Sequence, residues 1–496
     1  MTDDAPSGRS IGREMARGTL WMVAMRWVIR LIGLVNTAII ARLLVPEDFG
    51  IVALAMIAVD LVVTLTDGDI EMALIRTRSA SERLFDTGWT VKILAALATF
   101  AVLWFLAAPA AAYFHDDRIE TVIHIAALRP LILGFENIGV AEFRRNLRFD
   151  IEFRYLVLQR VITFVAGLVL VFLFRNYFAL AWSMPASAVL TVALSYAMVP
   201  TRPRLSLAHW RDFWQFSRWQ MLFNCGRLLG ERCDQFVISH IGGVAETGIY
   251  AVGFDLAMMP TREIMFPAGR ALMPAYSTIA HDPVRMREAF RMVLGFAAVI
   301  ASSVGIGMSC IADDAVNLVL GGQWSAAVPF VRWLGVYGAL EGAWLMLDPF
   351  FIAARRERAL ALSNLVFSAI TIPAVAAAAF ILGTPAIPGA RIAVMTVLLV
   401  AIFARMVQWH WISATELGRL LWRPVTASAG MALGLYLLGG HGPALPHLLS
   451  MIKDIAAGGL IYVVLLFGLW FLSGRPQGVE NDLLGAATSW LQSRRR

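Results

Sequence analysis

Several ionisable side chains lie inside stretches that are otherwise apolar, and these are the residues whose chemistry asks for a reason. Arg26 and Arg30 stand four residues apart, so a helix would place them on one face. Arg227 occupies the middle of a later apolar run, and Arg129 is followed seven residues on by Glu136, again on one helical face. The acids in comparable surroundings are Asp60, Asp234, Asp255, Glu341 and Asp348. A guanidinium keeps its charge in any surroundings, and its planar fork of donors matches the oxygens of a phosphate or diphosphate. A desolvated carboxylate can instead bind a cation or exchange a proton. The chemistry on offer is recognition of an anionic group, with a second set of residues suited to ion coupling.

Each candidate has a plainer alternative. Arg26 could snorkel to headgroups, and Arg227 has Glu231 at i+4 for an intrahelical pair. Arg129 and Glu136 could pair with each other or across elements, and Asp234 could pair with Arg227 or Arg232, the reading favoured here over ion coupling. Nothing in the residue types separates Na⁺ from H⁺, or either from no coupling. No cofactor is expected. The eight histidines lack metal-ligand spacing, and His115-Asp116-Asp117 and Asp313-Asp314 read as solvated loop acids. No HExxH, GxSxG, phosphate-binding glycine loop or CxxC occurs, so neither a metal site nor an enzyme is expected. Cys225, Cys233 and Cys310 lie in apolar segments and suggest no disulfide framework.

The elements that must carry these groups are membrane helices. Of 496 residues 59% are hydrophobic and 16% charged, against about 25% charged in an ordinary soluble chain. Runs of about 20 apolar residues suffice to cross the hydrocarbon core. Fourteen appear, near 19–44, 47–66, 88–108, 119–142, 153–174, 177–200, 212–241, 246–274, 287–312, 324–352, 357–382, 388–413, 423–439 and 445–472. Pro260, Pro267 and Pro274 interrupt the eighth, whose end from Met265 is expected to be interfacial. The chain is thus an all-α polytopic membrane protein of about 14 transmembrane helices.

Forty of the 42 basic residues are Arg, and they gather in alternate loops, as the positive-inside rule requires. One side receives groups such as Arg9, Arg13 and Arg17, Arg144, Arg145 and Arg148, and Arg355, Arg356 and Arg358; the other has Arg118, Arg175 and Arg391. An even number of spans with both termini cytoplasmic follows. Basic groups placed this way are topology signals, so the net charge of +7 calls for no nucleic acid. The polar N-terminus is not a signal peptide. Aromatic and basic residues over 205–219, and an amphipathic tail over 479–496, are suited to the headgroup layer.

A repeat divides the chain. IARLLVPEDFGIVALA from Ile40 aligns without a gap to ISHIGGVAETGIYAVG from Ile238, at a shift of 198 residues, with Ile40/Ile238, Gly50/Gly248, Ile51/Ile249 and Ala53/Ala251 identical. Both copies occupy an outside hairpin, and the shift brings Arg30 against position 228, next to Arg227. Parallel six-span repeats are a transporter architecture. The division is a cytoplasmic N-terminus 1–18, an N-lobe 19–200 with six spans, a C-lobe 201–413 with six more, an extra helix pair 414–472 and a cytoplasmic tail 473–496.

ARLLVPEDFG after a first span, RRNLRF before a fifth and DQFVISHIGGVAETGIYAVG through the seventh and eighth resemble the polysaccharide-transporter (Wzx-like) flippases. These belong to the superfamily that also holds multidrug exporters and lipid II flippases. The resemblance spans roughly residues 10–440 and implies two six-helix lobes around a central cavity. It implies translocation of undecaprenyl-pyrophosphate-linked oligosaccharide across the bacterial inner membrane, from the cytoplasmic to the periplasmic leaflet, by alternating access. The implied partners are that substrate, membrane lipids, and the polysaccharide polymerase and chain-length machinery. Lipid II flippases share the count of fourteen. Asp234 matches the acid of the family's seventh-span pattern, where the first lobe has Asn36. Arg30, Arg227, Arg26 and Arg129 are then the pyrophosphate candidates, and Asp234, Asp60, Asp255 and Glu136 the coupling candidates. A multidrug or organic-cation exporter is the alternative, although its lumen would favour carboxylates over Arg. A membrane enzyme of polysaccharide assembly is a further alternative, but it would need a sizeable outer domain, and the longest outside loop has about 15 residues.

Overall fold

The computed structural model describes residues 32–66, 82–145, 148–208, 210, 228, 230–438, 446–476 and 479–481, and among them every regular element is helical. Among the described residues eight helices are long and apolar enough to cross a membrane. The chain separates into two compact units, Met1–Arg232 with Gly243–Gly248, and Cys233–Gly242 with Ile249–Arg496.

In the first unit the described helices are α1 (Ile32–Leu43), α2 (Pro46–Thr66), α3 (Glu82–Phe114), α4 (Arg118–Leu133), α5 (Phe149–Phe174) and α6 (Tyr177–Met198). Helix α4 packs against α3, α6 and α2, which makes it the central member of this bundle. Its buried face is Ile119, Val122, Ile123, Ile125, Ala126 and Ala127, a run without large aromatics that lets three neighbours approach. The span expected to reach 142 stops at Leu133, because Gly134 and the Asn137 turn intervene. Asn137 holds that turn by accepting the Gly139 N–H and donating to the Thr201 carbonyl.

The PEDFG motif has a local explanation. Pro46 opens α2 at the position where a missing N–H is harmless. The Asp48 carboxylate accepts the backbone N–H of Val45 at 3.2 Å and of Tyr177 at 2.9 Å, which ties the start of α2 to the start of α6. Glu47 reaches Arg118 at 2.7 Å. Gly50 leaves room for the chain at 243–248: a Cβ there would stand 1.9 Å from the Val244 carbonyl oxygen, and one on Gly248 would stand 2.1 Å from that of Pro46. The two glycines that the repeat makes equivalent are in backbone contact with each other.

Residues 230–241 are helical (α7) and run from the first unit into the second. Helix α8 (Gly243–Ile279) follows, then α9 (Pro283–Cys310), α10 (Ala312–Val319), α11 (Val328–Leu345), α12 (Leu347–Ala353), α13 (Glu357–Leu382), α14 (Ile387–Gln408), α15 (Ala414–Leu437) and α16 (His447–Leu472). Helix α8 corrects the sequence reading, because its 37 residues pass all three prolines without interruption. At a spacing of seven the prolines share one face, so the lost i−4 bonds fall on one side, and the packed neighbours hold the helix together. At about 1.5 Å per residue it is far longer than a bilayer core of about 30 Å.

In the second unit α11 packs on α9 and α14, and α15 packs on α9 and α16. Close approach is made possible by small residues: Gly305 of α9 and Gly335 of α11 meet backbone to backbone, and Gly342 faces Thr261 and Met265 of α8. The extra pair α15–α16 shares a core of Ala427, Met431, Leu435, Tyr462 and Leu466 with Val299 of α9. Tyr462 donates to the Val299 carbonyl at 2.8 Å, so the pair is fastened to the bundle by apolar burial and a buried hydrogen bond.

Candidate functional site

Arg26, Arg30 and Arg227 lie outside the described residues. Arg129 is exposed on α4, and Asp60 stands on the neighbouring α2. Asp60 Oδ2 is 4.0 Å from Arg232 Nη2 at the start of α7, each side chain is 36% exposed, and the Arg129 charge also acts on the Asp60 carboxylate. All three belong to the first unit. Arg232 thus pairs loosely with Asp60 among apolar helices, and the Arg129 charge acts on the same carboxylate. A lipid-facing position for such groups is costly. The positive excess suits an anionic ligand with several oxygens.

Glu136 does not pair with Arg129. Its Oε2 is 3.1 Å from Lys92 Nζ, a residue of α3, and its Oε1 accepts the Tyr155 hydroxyl at 2.5 Å. Lys92 had no role in the sequence reading, although a lysine alone in an apolar span is itself a signal for a buried partner.

Asp234 is placed differently from expectation. Among the described residues its partner is Arg391, on α14, rather than Arg232, and both side chains are 1% exposed. Arg391 and the Tyr250 hydroxyl both donate to Asp234 Oδ2. Cys233 Sγ donates to Oδ1 at 3.3 Å. The guanidinium carbon lies 5.0 Å from the Tyr337 ring centroid and 5.4 Å from that of Phe254. Aromatic faces and a carboxylate thus surround one cation, in a site closed to solvent. The charge pattern places Arg391 among the outside charges at the start of the expected span 388–413, whereas α14 begins at Ile387 and buries it.

Asp255 is exposed on α8. Glu341 of α11 is held by Arg262 of α8 through two hydrogen bonds of 2.6 and 3.2 Å. Asp313, Asp314 and His447 bring their ligating atoms within 4.8 Å of one another. His447 Nδ1 is 2.7 Å from Asp314 Oδ1, and this hydrogen bond between α10 and α16 accounts for the cluster.

The arrangement is a helical bundle with charged groups set among apolar helices, and solved structures share its fold. The chain superposes on the lipid II flippase MurJ in its inward closed conformation with a TM-score of 0.74, at 11% identity, over 92% of this chain and 99% of that one. An inward-facing multidrug resistance MATE family transporter matches with a TM-score of 0.58, at 14% identity, over 80% and 96%. The family described as "Polysaccharide biosynthesis protein" matches residues 39–329, and the chain belongs to it. Among its relatives, the succinoglycan biosynthesis transport protein ExoT of Rhizobium meliloti (strain 1021) is 24% identical over 467 residues, covering 92% of this chain and 93% of that protein. The lipopolysaccharide biosynthesis protein WzxC of Escherichia coli (strain K12) is 24% identical over 345 residues, covering 67% and 68%.

Proposed function

We propose that the protein flips an undecaprenyl-pyrophosphate-linked oligosaccharide from the cytoplasmic to the periplasmic leaflet of the bacterial inner membrane by alternating access, with both termini cytoplasmic. The half-open cluster of Arg129, Arg232 and Asp60 carries this reading, because it offers two guanidinium forks where a diphosphate has to be held. Arg30, Arg227 and Arg26 are proposed to extend the same cationic track. The kinship with ExoT and WzxC supports a polysaccharide intermediate as cargo, and the MurJ-like fold supports a lipid-linked one. A cation exporter would reverse the balance of charge at this cluster.

Asp60 is the proposed coupling carboxylate. Asp234 is less suited, since Arg391 and Tyr250 already occupy its oxygens. The polymerase and chain-length machinery are the proposed downstream partners. The test uses proteoliposomes holding a fluorescent undecaprenyl-pyrophosphate oligosaccharide and an external quencher. Wild-type protein is expected to expose the inner-leaflet label to the quencher, while Arg30→Ala and Arg227→Ala protein is expected not to. Arg144→Ala and Arg356→Ala serve as active controls. Equal label exposure with and without wild-type protein would falsify the flippase assignment.

A further inference from the structure

In the second unit α9 and α15 begin, and α16 ends, at one level, and between these ends lies a cavity of about 680 Å³. The arginine pattern assigns this side to the cytoplasm. Arg291 comes from α9, Arg419 and Arg423 from α15, and Val479 from the segment that follows α16. That segment is firmly seated. Val479 fills the space left by Gly295, where a Cβ would stand 2.3 Å from its Cγ2, and Glu480 lies 2.7 Å from Arg423 with both side chains 4% exposed.

Glu416 is already engaged, since Oε2 accepts the Ser413 N–H at 2.9 Å and Oε1 pairs with Arg291 Nη2 at 3.0 Å. Glu480 is spent on Arg423. Even so, Arg291 Nε is buried without a hydrogen-bond acceptor among the described residues, whereas Arg423 Nη1 lies 2.7 Å from Glu480 Oε1. Arg419 is exposed and makes no ion pair or side-chain hydrogen bond there. Glu288 also lines the cavity. Arg291 and Arg419 therefore bring N–H groups to spare among the described residues, beside an apolar wall of Met292, Leu420 and Val479. We infer that this cavity binds the phosphate of an anionic phospholipid of the surrounding bilayer. Anionic oxygens complete the idle donors, the position at the polar ends of membrane helices is that of a headgroup, and the apolar wall receives the glycerol and the start of the acyl chains. The bound phosphate joins α9, α15 and the segment beyond α16, and so fastens the extra helix pair to the bundle.

Native mass spectrometry of the full chain in a non-ionic detergent, loaded with phosphatidylglycerol or phosphatidylcholine, tests this. One phosphatidylglycerol is expected to stay bound under conditions that strip phosphatidylcholine. Arg419→Gln should retain about tenfold less, the loss of one charge-assisted hydrogen bond, with an unchanged melting temperature in lipid-free detergent, and Arg419→Lys should recover part. Arg175→Gln, at the end of α5, should retain as much as wild type. Equal retention of the two lipids, or equal loss in Arg419→Gln and Arg175→Gln, overturns the proposal. Displacement by inorganic phosphate at millimolar concentration would assign the site to the free ion, and displacement by equimolar undecaprenyl pyrophosphate to the cargo lipid; either result overturns the assignment to bilayer phospholipid.

Discussion

Asp60 and Arg232 face each other across 4.0 Å with about a third of each side chain exposed, whereas Asp234 and Arg391 touch in a site only 1% open. Both pairs sit among apolar helices and both join a carboxylate to a guanidinium, so composition does not tell them apart. Their surroundings do. The first pair keeps its charges available to a third party and includes a further guanidinium, Arg129. The second has spent its charges on each other, on the Tyr250 hydroxyl and on two aromatic faces. A loose pair is organised for exchange of partners, and a sealed one for holding helices in register. The repeat underlines the asymmetry, because the position equivalent to Asp234 in the first unit is Asn36, which needs no counter-charge.

The largest effect expected from this contrast is on stability. Arg391→Leu leaves a dry carboxylate without its cation and should cost about 3–5 kcal/mol, read as a loss of folded protein in detergent unfolding curves. The double variant Asp234→Leu/Arg391→Leu should regain most of that, since two apolar residues replace a desolvated pair. A double variant no more stable than the single one would break the comparison from the second unit's side.

Arg129→Gln and Arg232→Gln should do the opposite. Each forfeits charge-assisted bonds worth about 1.5–3 kcal/mol to a phosphate, so transport should fall about tenfold or more while unfolding curves stay near wild type. Lysine at either position should rescue only in part, lacking the fork. If the unfolding midpoint dropped along with transport, the loose cluster would be structural after all.

Gly248→Ala probes a contact that has no charge at all. Its new Cβ would press on the Pro46 carbonyl oxygen, and displacing packed backbone should cost about 1–3 kcal/mol in the same unfolding assay. Asp60→Asn sits lower on the scale, at under about 1 kcal/mol of stability, because a partly exposed pair contributes little. That value beside the cost of Arg391→Leu is the sharpest measure of the difference between the two sites.

The smallest effect lies outside the membrane helices. Asp282 caps α9, and the backbone N–H groups of Arg285 and Val284 hold its carboxyl below the usual carboxylate range. A depressed value stabilises the fold above the unfolded-state pKa and is lost as pH falls through the folded one. Acidification below about pH 4 should therefore loosen the start of α9 in wild type, and Asp282→Asn, which keeps an accepting side-chain oxygen, should flatten that dependence in amide exchange.

The helical membrane character, the repeat and the charged residues within spans were all legible in the sequence, because apolar run length and charge placement report directly on insertion. Pairing was not. Which residues meet depends on helix rotation and depth, and the repeat alone does not supply them. Glu136 follows Arg129 by seven residues, but the helix ends at Leu133 between them, and Lys92 of α3 and Tyr155 of α5 claim it. Arg391 was hidden for a different reason: at the start of the expected span 388–413 it counts as an outside charge, and nothing in the sequence says that α14 buries it against Asp234. The long α8 was obscured by its three prolines, since proline is a weaker breaker in a membrane bundle than in water.

Asp234 precedes its guanidinium by 157 residues. At about 5–20 residues per second, ribosomal synthesis delivers the acid to the bilayer about 10–30 s ahead of Arg391. During that interval the carboxylate has no counter-ion from its own chain, and leaving it in hydrocarbon is costly. The second unit therefore has a temporal order written into it: α7 can settle only once α14 has emerged. Nascent chains arrested just before residue 391 should leave Cys233 open to a membrane-permeant thiol reagent, and chains arrested well beyond α14 should protect it.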